Sequence, residues 1–195
     1  MGLNHLLVLE IPAEVNFKIW SLNARLFGDF AYNFEGAMRA EDAAAGYANY
    51  LTVQSASGVV TVKPFAPQRN DVKAYQAGLG IGNAGHTYGP MQGLVYGTTS
   101  KRNNWEIRGY WQHIEQYALD PNLLDSDFFE GRGNLQGIYT ALAYGVSDNV
   151  IATFRYGYAS RINNLIGTGG SNQDIPQVNP ITHYNLFQLD LTFRF

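Results

Sequence analysis

Apolar and polar residues alternate with period two along most of the chain. From His183 to Phe195 the odd positions Phe187, Leu189, Leu191, Phe193 and Phe195 are apolar, and Gln188, Asp190, Thr192 and Arg194 between them are polar. Such a segment is a strand with one greasy and one wet face. The pattern recurs upstream. Asn149 to Ser160 sets Val150, Ala152, Phe154, Tyr156 and Tyr158 against Thr153, Arg155, Gly157 and Ala159. Leu135 to Val146 sets Ile138, Leu142, Tyr144 and Val146 against Gly137, Tyr139, Ala141, Ala143 and Gly145. Trp105 to Tyr117, Val72 to Gly82, Leu22 to Phe34 and Leu7 to Trp20 alternate likewise. Seven long strands are therefore expected. A helix-prone stretch, Ala37 to Tyr50, falls in a link between two of them.

Most of these segments reach about ten residues, the length of a tilted strand crossing a bilayer, whereas strands in globular proteins run nearer five or six. Link lengths are a second signal. Short turns follow the first and fifth strands. Long links, taken as external loops, span about 36–71, 118–133 and 161–182. Membrane barrels show this asymmetry between their two ends. The link after the third strand, about 83–104, departs from it. Residues 91–99 carry a weak alternation and are either an elaborated turn or an eighth strand.

Composition supports a membrane setting. Of the 195 residues 14% are aromatic and only 15% are charged, and glycine occurs 21 times. Charged residues usually make up about a quarter of a soluble domain. The apolar face is rich in Phe, Tyr and Trp near strand ends, as in aromatic girdles. The opposite face carries charges in mid-strand, among many Gly and Ala. In lipid every backbone donor needs a partner, so such strands close into a barrel. The expected fold is all-β: an antiparallel transmembrane β-barrel of about seven or eight strands, with residues 1–195 as one barrel domain or barrel segment. If the last strand ends on the periplasmic side, the first strand starts outside. An odd strand count starting there, with no signal peptide at Met1–His5, predicts the C-terminal part of a larger, porin-sized barrel.

Several chemistries receive no support. A net charge of -3 argues against a nucleic-acid partner recognised by bulk charge. There is no Cys, and the four His lack zinc-site spacing. Gly78, Gly80 and Gly82 sit in an alternating strand without the helix a nucleotide loop needs. No local nucleophile motif places Ser, His and Asp together. No enzyme activity, metal or cofactor is expected.

The residues expected to line the lumen and set selectivity are Lys18, Arg25, Asp29, Glu106, Arg108, Arg155, Asp190 and Arg194. The arginines could form a basic ladder, or pair with Asp29, Glu106 and Asp190 and simply line a wet wall. The link Asp120 to Glu130 could fold inward as a constriction. Its carboxylates do not have EF-hand spacing. Gly167 to Ser171 is read as external loop rather than as an anion nest.

Arg25 to Phe34, Asp125 to Phe129, Asp148 to Ile151, Arg155 to Tyr158, Gly167 to Pro176 and Leu186 to Phe195 resemble motifs of the bacterial putative porins. The likeness covers most of 15–36 and 104–195. It implies a Gram-negative outer-membrane location, an usual length about twice this one, and contacts with the lipid bilayer and the outer-membrane insertion machinery. Phe193 and Phe195 resemble the aromatic C-terminal signal that this machinery reads. The implied function is a porin wall for passive diffusion of small hydrophilic solutes. Porins are often trimers, so a homo-oligomer is a candidate assembly, though no interface is legible. Two alternatives stand beside this: a small complete eight-strand outer-membrane barrel with a structural or adhesive role, and a soluble β-barrel binding an apolar ligand.

Overall fold

The computed structural model describes residues 5–50, 54–55, 58–59, 66–84, 94–95, 101–120, 128–129, 131–168 and 181–194. Its elements are β1 (Val8–Ile19), β2 (Leu22–Asn33), α1 (Gly36–Tyr50), β3 (Gln54–Ser55), β4 (Gly58–Val59), β5 (Lys73–Gly82), β6 (Trp105–Ile114), β7 (Leu135–Ser147), β8 (Val150–Arg161) and β9 (His183–Phe193). Seven of them form one antiparallel sheet in the order β1-β2-β5-β6-β7-β8-β9, and β3 and β4 pair only with each other. All seven expected strands are present, most within a few residues of their expected limits. The helix-prone stretch is α1. Strands β5 and β6 pair directly, so no strand from 91–99 lies between them. Leu94 and Val95 form a buried turn, and the rest of 91–99 lies outside the described residues.

Three connections lie at one end of the strands. Two are tight turns, Trp20–Ser21 and Asp148–Asn149, and the third is the link 83–104. At the opposite end lie the links 34–72, 115–134 and 162–182. We call these the turn end and the loop end. Trp20 turns the first hairpin with φ 54° and is 93% exposed. The second hairpin follows an irregularity between Gly145 and Ser147.

The sheet is open among the described residues. Seven antiparallel strands leave β1 and β9 running the same way at the two edges, so the edges cannot pair antiparallel with each other. Pro12 stands in mid-β1. Leu7 accepts a hydrogen bond from Phe34 N, so odd positions of β1 bond to β2 and even ones face the free edge. The missing Pro12 N–H is therefore on the edge, where the ladder does not need it.

The two faces of the sheet differ as the alternation predicts. One cross-strand row on the outer face reads Val15, Leu26, Leu79, Gly109, Thr140, Tyr156, Phe187. Its large apolar members are exposed, Phe187 to 75%. A contiguous apolar surface of this kind is rare on soluble monomers. The inner face is small and polar, and links from both ends cover it. At the loop end α1 places Ala40 and Ala43 against Val72, Tyr117 and Ile166. Phe128 and Phe129, from the link between β6 and β7, pack in the inner cluster with Tyr110 and Tyr139. These two residues of the link lie on the inner face. Gly157 leaves the space, because a Cβ there would meet Phe128 at 2.6 Å. Asp125, Asp127 and Glu130 of the same link lie outside the described residues.

Candidate functional site: the inner wall

The register assembles a row of arginines that no single segment shows. Across the inner face it reads Asn16, Arg25, Gly80, Arg108, Ala141, Arg155, Gln188. Arginines on β2, β6 and β8 are separated by Gly80 on β5 and Ala141 on β7. Neighbouring strands lie about 4.8 Å apart, so Arg108 and Arg155 are roughly 10 Å apart along the row. The small residue between them keeps like charges from facing each other directly.

Each of these arginines has its own carboxylate. Arg25 Nη2 meets Glu14 Oε2 at 2.6 Å, and its guanidinium lies 5.0 Å from the Phe27 ring centre. Arg108 Nη2 meets Glu106 Oε1 at 2.9 Å. Arg155 Nη1 pairs with Asp190 Oδ2. The sequence offers Asp29, Glu106 and Asp190 as partners for the arginines as a group. The partner of Arg25 is Glu14, which precedes it by eleven residues across the β1–β2 hairpin. Asp29 meets the Glu10 carboxyl of β1. The two-residue turn Trp20–Ser21 fixes the hairpin register, placing Asn16 opposite Arg25 and Glu14 one inward position away. Glu14 was not among the expected lining residues, although counting back from that turn identifies it.

Burial separates the site residues. Arg25, Arg108 and Glu106 are inside, with Arg108 at 2% exposure and Glu106 at 0%. Arg155 and Asp190 are partly covered. Lys18, on edge strand β1, is exposed. It shares the next inner row with Asn23, Gly82, Glu106, Ala143, Thr153 and Asp190. Arg194 is exposed beyond β9, and its N–H donates to Asn149 O at 2.9 Å. Phe193 is exposed at the end of β9, while Phe195 lies outside the described residues. The register therefore brings Arg25, Arg108, Arg155 and their acids together and leaves Lys18 and Arg194 at the margin.

Two structural contributions had no side-chain signal. Leu94 N and Val95 N donate to Glu106 Oε2 at 2.6 and 3.3 Å. Val95 O accepts from Arg155 Nη2 at 3.3 Å. These are backbone atoms of two buried residues within the link 83–104. The loop end is held differently. Asn134, with φ 57°, donates through Nδ2 to the carbonyls of Asn163, Ile166 and Gly167 at 2.9, 3.1 and 2.9 Å. Its Oδ1 accepts from Asn163 N at 2.7 Å. Asn163 Nδ2 donates to Asp71 Oδ2 at 2.7 Å. Asn33 Nδ2 donates to Tyr117 O at 2.9 Å, and its Oδ1 accepts from Leu7 N and Glu35 N.

Ionisation at the loop end follows from this packing. Burial raises the Asp71 pKa, and the nearby Glu115 charge adds to the rise against the Asn163 hydrogen bond. Burial also opposes the charge on Glu115, but contacts with His113 and Lys73 outweigh it and lower its pKa.

A family model described as putative porin matches residues 62–195. No curated protein and no solved structure matches the chain.

Proposed function

The chain belongs to the putative porin family, and from that premise we propose that it forms wall of an outer-membrane channel for passive diffusion of small hydrophilic solutes. The carrying observation is the pairing of two faces in one sheet. A row of three arginines lies on one face, and a continuous apolar surface lies on the other. Lipid accommodates the second face, and a watered interior suits the first. A soluble barrel holding an apolar ligand would need the opposite orientation.

Each arginine in the row is matched by a carboxylate, so discrimination between cations and anions should be weak. Solute size would dominate, set by the inward links. Because β1 and β9 run in parallel, the wall closes most simply with an odd number of further antiparallel strands. Phe193, exposed on the turn-end side of β9, would carry the insertion role that the family resemblance implies.

The covered inner face supports a second reading, a barrel blocked by its own links with a structural role. Planar-bilayer recording of the refolded chain, alone and extended by upstream coding sequence, separates the two. Steady conductance steps with a near-zero reversal potential in a salt gradient support diffusion. A folded, heat-modifiable protein giving no steps in either form overturns it.

A further inference from the structure

The connection 83–104 is longer than its geometry requires. At the same end, two-residue turns join β1 to β2 and β7 to β8. The extra length brings Leu94 and Val95 onto the inner face, where they are 0% and 2% exposed and pack with Ala84, Ala143 and Ile151. A backbone turn inside a barrel needs partners for its N–H and C=O groups. Glu106 provides them for the two amides and Arg155 for the Val95 carbonyl.

Glu106 is well suited to this task. Its carboxylate is fully buried and would be costly there without donors. One oxygen takes the Arg108 guanidinium and the other takes both link amides. Charge-assisted bonds of this type are about twice as strong as neutral ones. The carboxylate therefore couples the arginine row to the inserted turn. Arg155 completes the coupling, bridging Val95 O and Asp190.

We infer that Glu106 is a positioning residue that latches the Leu94–Val95 turn against the inner face, narrowing the solute path there. The inference rests on the diffusion reading for its consequence but not for its geometry. Releasing the latch widens the path without altering the outer face or the sheet.

Two readouts test it. The chain has no cysteine, so V95C introduces a single thiol. With the refolded protein in vesicles, a water-soluble thiol reagent should label V95C slowly. Adding E106A should speed labelling about tenfold or more, by making local opening easier. The second readout is unit conductance, which should rise about twofold in E106A without V95C. If E106A does not refold, E106Q serves: its amide keeps the volume and one acceptor but loses the charge, giving a smaller change of the same sign. Unchanged labelling in a refolded Glu106 variant overturns the latch, whatever the conductance. Faster labelling supports the latch even if no form conducts, in which case only the diffusion reading fails. Faster labelling with unchanged conductance overturns the claim that the link narrows the path.

Discussion

The two ends of the strands close over the same inner face by different means. At the turn end, the Glu106 carboxylate, itself paired with Arg108, and the Arg155 guanidinium grip the Leu94–Val95 backbone turn through charge. At the loop end, Asn33, Asn134 and Asn163 stitch several chain segments together through neutral amides. The contrast has a physical consequence. A clamp made of a few buried charges has concentrated strength, and neutralising one group removes much of it. A network of amides spreads its strength over many bonds of about 1 kcal/mol each and is insensitive to charge. Among the described residues, the loop end is thus a cover held by many bonds, and the turn end is held by a few charged ones.

The largest effect should come from the loop-end cover. Asn134→Ala removes four hydrogen bonds, strands buried carbonyls and leaves a non-glycine residue at φ 57°. A loss of about 3–4 kcal/mol in unfolding free energy is expected. Urea titration of the protein in vesicles measures it. Amide exchange should rise in residues 161–168, while V95C stays protected at the opposite end. Faster V95C labelling in this variant would show that the two ends are not independent.

A smaller loss is expected where the inward link meets the sheet. Gly157→Ala forces the Phe128 ring away from β8. Overpacking of this kind costs about 1–3 kcal/mol. Denaturant midpoints report the loss, and limited proteolysis should cut the link 118–133 sooner. An unchanged cutting rate would mean that Phe128 does not hold that link in place.

The smallest effects concern two acids at the loop end, Asp71 and Glu115, whose ionisation gives that end a pH response. Asp71 has a raised pKa in the folded protein, so its contribution is present at low pH and is lost as pH rises through that value. Asp71→Asn should therefore gain stability relative to the wild type between pH 4 and pH 7. Glu115 has a lowered pKa, so its contribution is present above its unfolded value and is lost as pH falls. Glu115→Gln should lose stability relative to the wild type over the same rise. Parallel denaturation series at the two pH values check both signs.

Much of this architecture was legible in the residues. Alternation identified all seven strands and both faces, because side chains in a strand repeat every two residues. The arginines were also visible as inner-face residues. Their common row was not, because it depends on register across links of very different length. The β1–β2 hairpin, with its two-residue turn, gave register from sequence alone, and that register points to Glu14 as the partner of Arg25; the equally short β7–β8 turn is offset by an irregularity between Gly145 and Ser147. The inserted turn at Leu94–Val95 was the least visible feature. It is held through backbone atoms, whose hydrogen bonds leave no mark on residue type. The weak alternation at 91–99 left an elaborated turn and an eighth strand both open, and two of its residues lie in a turn held by Glu106.

The central claim is the orientation of the sheet, with its apolar face toward lipid and its arginine row inside. Single cysteines placed along β8 at 154, 155, 156, 157 and 158, each carrying a fluorophore in lipid vesicles, test it residue by residue. Quenching by brominated lipid should be strong at 154, 156 and 158 and weak at 155 and 157. The reverse pattern, or equal quenching at all five positions, would contradict the orientation and the membrane wall built on it.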